Sequence, residues 1–268
     1  MLKRTILAAI LLVTLSSAIN LVSPGVSIKN GDVIDLGTIG PGQTVSILID
    51  PKVSSGGIHG IGGRYDQAVA EDLPRGWASS ESKLYQDPLQ LTITADPDSP
   101  EGNYTVRVKV IDENDGEKLG NITFDVKVRI TYDVMDFDVS PKYLNVGPGQ
   151  PARFAITITN KGSTSDVFSV SADGPKRWMF RKPVFVPAQS SKTIYYEIVA
   201  TEEETYKATV RVVSLASRNI GDEQNVTLFV GSDVFGDYRS TNNGVLVFPI
   251  FEAPIYSLAG LISNLFPK

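Results

Sequence analysis

Ile122 to Ile130 reads Ile-Thr-Phe-Asp-Val-Lys-Val-Arg-Ile. Apolar and polar residues alternate without a break, and β-branched types dominate. That period of two marks a half-buried strand of an antiparallel sheet. Its opening, Asn121-Ile122-Thr123-Phe124-Asp125-Val126, returns 104 residues later as Asn225-Val226-Thr227-Leu228-Phe229-Val230. The strand before it, Thr105-Val106-Arg107-Val108, returns at the same offset of 104 as Thr209-Val210-Arg211-Val212. Farther out, Gly40-Pro41-Gly42-Gln43 recurs as Gly147-Pro148-Gly149-Gln150, an offset of 107. Pro74-Arg75-Gly76-Trp77 sits where Pro175-Lys176-Arg177-Trp178 sits, an offset of 101. Four landmarks in one order at nearly one spacing describe a duplicated domain. A solenoid unit would be far shorter, about 20–50 residues.

Other windows alternate in the same way: Tyr104 to Val110, Ala152 to Asn160 and Thr193 to Val199. Turn signals separate them: Pro-Gly at 41–42 and 148–149, Lys-Gly at 161–162, Asp-Gly at 115–116 and 173–174. No window before residue 244 has a strong helical period. The expected fold is all-β: two tandem β-sandwiches, with an N-terminal signal segment and a C-terminal apolar tail. The expected divisions are 1–18 signal peptide, 19–133 first sandwich, 134–231 second sandwich, 232–243 linker and 244–268 apolar segment.

The repeat motifs carry a resemblance. Val139-Ser140-Pro141, Gly147 to Gln150, Ile156 to Gly162 and Asp166-Val167-Phe168 resemble the immunoglobulin-like repeat of archaeal surface proteins. That family is related to the accessory sandwich of secreted α-galactosidases. Leu73-Pro74-Arg75-Gly76-Trp77 and Ser99-Pro100-Glu101-Gly102-Asn103-Tyr104-Thr105-Val106 are similar to two further signatures of the family. The second repeat departs from them: it has no Gly before Trp178, and Glu202-Glu203-Glu204 replaces Pro and Gly before its Tyr. The resemblance covers most of residues 24–230. It implies Ig-like or fibronectin-III-like sandwiches that serve as spacers, adhesive modules or accessory domains, with no catalytic set.

Composition narrows the functions. Hydrophobic residues make up 42% and charged residues 21%, which is enough apolar side chain for packed cores. The net charge of -5 comes without a basic stripe, so nucleic acid is not an expected partner. With no Cys and a single His, His59, the chain offers no thiolate nucleophile, no disulfide and no zinc set. No Gly-x-Ser-x-Gly elbow accompanies His59, and no carboxylate pair stands out. A non-catalytic protein without a cofactor is therefore expected.

Both ends carry addresses. Lys3 and Arg4 precede the apolar run Thr5 to Leu15, and Ser16-Ser17-Ala18 supplies a small-residue cleavage site. Retention as an anchor is the alternative, because Ile19 to Val22 prolongs the run. Export accords with sequons at Asn103, Asn121 and Asn225. From Gly244 to Phe266 the only charge is Glu252. Pro249 and Pro254 disfavour one straight helix. Phe248, Phe251, Ile255, Leu258, Ile262 and Phe266 are the expected contacts with a membrane or a membrane-protein partner. Packing of the tail on its own domain is the other reading.

One loop separates the repeats. Pro51 to Leu73 spans 23 residues where the second repeat, Asn160 to Gly174, has 15. It contains Gly56-Gly57-Ile58-His59-Gly60-Ile61-Gly62-Gly63 and then Arg64-Tyr65-Asp66. Glycines let a backbone approach a ligand closely, and His59, Arg64, Tyr65 and Asp66 could bind envelope polysaccharide or an acidic group. A plain surface loop is the alternative. Asp112 to Glu117 is acidic, but Gly116 stands out of register for an EF-hand, so Asp115-Gly116 is expected to form a hairpin turn. Trp77 and Trp178, at matching places, are expected in the two cores.

Overall fold

The structure is a computed structural model, and it describes residues 18–231. The expected signal segment up to Ser17, the linker and the six tail residues from Phe248 to Phe266 lie outside the described residues. Along the main run of the chain, two compact units meet at Tyr132 and Asp133.

Unit 1 has eleven strands: β1 (Ile19–Ser23), β2 (Ser27–Ile28), β3 (Val33–Ile39), β4 (Thr44–Ile49), β5 (Lys52–Val53), β6 (Gly63–Arg64), β7 (Gln67–Glu71), β8 (Ala78–Ser80), β9 (Leu89–Thr94), β10 (Gly102–Ile111) and β11 (Ile122–Ile130). One sheet has the order β2-β1-β4-β9-β8 and the other β3-β11-β10-β7, while β5 and β6 form a small ribbon. Pairing is antiparallel except where β3 runs parallel to β11. That parallel strand beside the last one, with an earlier segment of the same run paired to the other sheet, is the Ig-like arrangement.

Unit 2 has eight strands: β12 (Met135–Ser140), β13 (Tyr143–Val146), β14 (Pro151–Asn160), β15 (Asp166–Asp173), β16 (Phe180–Val186), β17 (Ser190–Val199), β18 (Thr205–Ser214) and β19 (Gly221–Val230). Its sheets are β12-β14-β17 and β13-β19-β18-β15-β16. Again a single pair, β13 with β19, is parallel. Two tandem Ig-like sandwiches are thus present, as the duplication predicts.

The alternation seen in sequence is the burial pattern. Val106, Val108 and Val110 of β10 face Phe124, Val126 and Ile122 of β11 in the unit 1 core. In unit 2 Ala208 of β18 lies opposite Val226 of β19, and Val210, Val212, Leu228 and Val230 are buried in the same core. On the outer face Arg107 lies opposite Asp125 at 3.2 Å, and Arg211 opposite Glu223 at 2.7 Å, a cross-strand pair of opposite charge in each unit.

The recurring motifs are turns with a built-in lock. In Gly40 to Gln43, Pro sits at the second place and Gly42 at φ +74, and the Gln43 N–H donates to the Gly40 carbonyl at 3.2 Å. This is a type II turn. The buried Gln43 Oε1 then accepts the Gly40 N–H at 2.8 Å. Gln150 does the same for Gly147 at 3.1 Å. Trp77 and Trp178 are both core residues, as expected. Trp77 packs on Tyr104 with ring centres 5.1 Å apart, and Trp178 on Tyr206 at 4.6 Å. Each tyrosine donates its hydroxyl to a carbonyl four residues upstream, Pro100 at 2.9 Å and Glu202 at 3.3 Å. These are tyrosine corners, which fasten the connection before the strand. The missing Gly before Trp178 is met by a different turn. Gly76 sits at φ +81, whereas Lys176–Trp178 forms a 3-10 turn that needs no left-handed residue.

The Asp115-Gly116 expectation needs correction. β10 and β11 do pair antiparallel, but residues 112–121 join them as a longer loop with a 3-10 turn at Glu113–Asp115. A tight type I′ turn needs positive φ at both central residues, and Gly116 lies at φ -65. The cause is Asp112. Its buried carboxylate accepts the N–H of Glu117 at 3.1 Å and of Leu119 at 2.9 Å, and so curls the loop back on itself.

Candidate functional site

One end of unit 1 gathers three loops: residues 50–66 before β7, 81–88 before β9, and 112–121 before β11. The glycine-rich loop is their centre, and backbone bonds build it. Lys52 pairs with Arg64 and Val53 with Gly63 in the β5–β6 ribbon, and Gly62 N–H donates to Gly56 O at 3.0 Å. Gly62 is at φ +91, and a Cβ there would stand 1.9 Å from the Val53 carbonyl oxygen. Only glycine permits that crossing. The Ile58 N–H donates to Glu117 O at 3.0 Å, which ties the loop tip to residues 112–121.

The residues expected to bind a ligand are placed as follows. His59 is exposed at the tip. Arg64 turns sideways, and its Nη2 donates to the carbonyls of Tyr85 at 2.7 Å and Gln86 at 3.3 Å. Asp66 Oδ2 accepts the Glu113 N–H at 2.8 Å, and its carbonyl accepts the Tyr85 N–H at 2.9 Å. Tyr65 is fully buried, so its side chain presents no surface at the tip. Burial, and after it the charge of Asp112, pushes the Tyr65 hydroxyl up to about 12. Arg64, Tyr65 and Asp66 thus clamp the loops together; Arg64 and Asp66 remain partly exposed, and His59 is fully on the outer surface.

What the clamp presents is apolar. Ile58, Ile61, Leu84 and Tyr85 are 55, 77, 48 and 63% exposed on these loops. Tyr85 also takes φ +60, a left-handed conformation that bulky residues avoid, and Asp115 and Lys118 of the third loop do likewise. Lys52 and Asp87 meet at 3.0 Å on the rim. Lys83-Leu84-Tyr85-Gln86-Asp87-Pro88 is a surface that sequence pattern announces only weakly. Its signal is a leucine and an aromatic in a Pro-ended segment without strand alternation. Asn103, Asn121 and Asn225 are all exposed. Among the described residues no group of His, Cys, Asp or Glu is arranged to hold a metal, and no helix is long and apolar enough to cross a membrane.

These features define a tandem Ig-like β-sandwich protein with a three-loop apolar surface at one end of its first unit. No family model matches the chain, and no curated protein matches it. Solved structures similar to it include a chimeric titin Z1Z2 functionalized with an exogenous KLER peptide from decorin, with 10% identity, 81% of this chain and 99% of that one covered, and a TM-score of 0.38. The titin tandem A164–A165 is similar at 9% identity over the same shares, with a TM-score of 0.29. The CARDB domain of the PF1109 protein of Pyrococcus furiosus, solved in complex with di-metal ions, shares 18% identity over 37% of this chain and 91% of that domain, with a TM-score of 0.28. These likenesses concern the fold alone.

Proposed function

We propose that the chain is an exported, non-catalytic interaction protein of the cell envelope, and that the loop end of unit 1 is its protein-binding surface. The observation that carries this reading is the exposed set Ile58, Ile61, Leu84 and Tyr85 on loops locked from below. Exposed apolar side chains on a preorganised base bind without a large ordering cost. The motifs shared with archaeal surface-protein repeats, the N-terminal basic and apolar run and the three exposed sequons support placement outside the cell. The apolar residues 244–268 support attachment to the membrane or to a membrane protein.

The test is retention of purified residues 18–231 on isolated cell envelopes. The double variant Ile61→Asp, Tyr85→Ala is expected to lose at least tenfold in retention with an unchanged melting temperature. Protease treatment of the envelopes should abolish retention of the parent. Unchanged retention of the variant would sink the proposal. Retention that survives protease but fails after periodate treatment would favour polysaccharide binding around His59 instead.

A further inference from the structure

β3, β11 and β10 are neighbouring strands of one unit 1 sheet. At the end of that sheet away from residues 112–121, two rows of residues cross all three strands. Asp35, Lys127 and Thr105 lie side by side in one row, and Thr38, Arg129 and Asn103 in the next. These six line a depression of about 480 Å³ on the outer face. Lys127 and Arg129 are both exposed, two residues apart on β11. The depression has a local cause. Between the two rows β11 advances from Lys127 to Arg129 while β3 advances from Asp35 to Thr38, so β3 carries one extra residue, a bulge. Gly37 takes up the extra residue at φ +84, and its N–H donates to Asp35 Oδ1 at 2.7 Å. A bulge bends its strand and re-aims the side chains around it. Strand spacing makes the patch about 7 Å long and 10 Å wide, the scale of a disaccharide.

We infer that this patch binds an acidic saccharide, with a carboxylate on Lys127 and Arg129 and sugar hydroxyls on the polar side chains around them. The chemistry of the six selects that class. The planar Arg129 guanidinium matches a carboxylate with two parallel N–H donors, and Lys127 adds a second positive charge. Thr38 and Thr105 each donate and accept, Asn103 offers an amide, and Asp35 only accepts. Sugar hydroxyls use that mixture, whereas a simple anion needs donors alone. Carboxylates also limit the charge that the ligand carries. Asp35 stands beside Lys127 within the patch. In the next row Arg107 is held by Asp125 at 3.2 Å and Asp72 at 3.3 Å, and Lys109 beyond it by Glu71 at 3.3 Å. A densely charged polyanion laid along this face would be pressed against those carboxylates, and like charges brought together in this way cost affinity. One carboxylate per sugar ring avoids them. The loop end of unit 1 lies at the other end of β10, so this site is separate from the apolar surface there and does not depend on it.

The test uses the full chain in detergent, made in a host that adds no N-glycans because Asn103 opens a sequon. Binding of short oligomers of galacturonate and of glucuronate is followed by calorimetry at physiological salt. Saturable binding of at least one of them is expected, and its methyl ester, similar in shape but uncharged, should bind at least tenfold more weakly. The double variant Lys127→Ala, Arg129→Ala should also lose at least tenfold, and Thr105→Val a smaller part, each with an unchanged melting temperature. Two controls separate recognition from bulk charge. Arg181→Ala with Lys182→Ala removes the same charge from unit 2, and Ile61→Asp with Tyr85→Ala alters the loop end; both should bind as the parent does. No binding of either uronate by the parent, equal binding of acid and ester, or undiminished binding by the Lys127, Arg129 variant overturns the inference. An equal loss in the unit 2 control overturns it in favour of net charge. Tighter binding of inorganic polyphosphate than of the uronates overturns it in favour of plain polyanion attraction.

Discussion

Two buried tyrosines with the same altered acidity make opposite contributions. Tyr65 and Tyr196 are both pushed up to about 12, by burial in each case. Tyr196 donates its hydroxyl to Trp178 O at 2.8 Å, whereas the buried Tyr65 hydroxyl has no partner. Tyr196→Phe should therefore cost about 1 kcal/mol, and Tyr65→Phe should be neutral or stabilising by about 1 kcal/mol, because it removes an unpaired buried polar group. Alkali adds a second signature. The unfolded chain releases these protons near pH 10 and the folded chain holds them to about 12. Between those values the unfolded state binds fewer protons, so stability is intact below pH 10 and falls as pH rises toward 12. Urea titrations at pH 7 and pH 11 should show a smaller alkaline loss in Tyr65→Phe than in the parent. An identical loss would mean that Tyr65 does not titrate in that window. At this scale the sequence was legible for Trp77 and Trp178, whose equivalent places implied a shared core role. It was not legible for Tyr65, because nothing in Gly-Gly-Arg-Tyr-Asp tells an inward ring from an outward one. That choice is made by the β5–β6 ribbon, whose pairing depends on a Gly62 crossing at φ +91.

Strands announce themselves in sequence and their sheet partners do not. Ile122–Ile130 was bounded by its alternation alone, because every second residue meets the core. The segments after Trp77 and Trp178 hold equivalent places and yet join opposite sheets. Ala78-Ser79-Ser80 supplies nothing large to a core, whereas Val184 and Val186 of β16 are buried and need one. Local pattern carries the burial but not the partner across the sandwich. The glycine loop shows the same limit, since its many glycines signalled freedom and one of them is a point of fixed contact. Gly62→Ala should destabilise unit 1 by about 2 kcal/mol or more, because its Cβ meets the Val53 backbone and its φ is left-handed. Gly60→Ala, at φ +70 with open space around it, should cost about 1 kcal/mol. Thermal melts of the two variants separate these outcomes. Equal costs would show that the ribbon moves aside to admit the new methyl group.

At the scale of the whole molecule the duplication has an energetic consequence. No disulfide ties either sandwich, so each relies on the side chains that it buries. Each has its own closed cluster: Ile19 through Ile130 in unit 1, Val134 through Val230 in unit 2. Each also repeats the same fastenings, a Gln-locked type II turn and a Trp-backed tyrosine corner. A domain of about 100 residues with one core and its own locks is large enough to fold without its neighbour. Residues 18–132 and 133–231, made separately, should each unfold in one cooperative step with dispersed amide resonances. The locks give the comparison a direct handle. Tyr104→Phe should lower the midpoint of the first fragment, and Tyr206→Phe that of the second, each by the equivalent of about 1 kcal/mol, with no effect across fragments. A fragment that binds a hydrophobic dye and melts without cooperativity would show that its core is completed by sequence outside it.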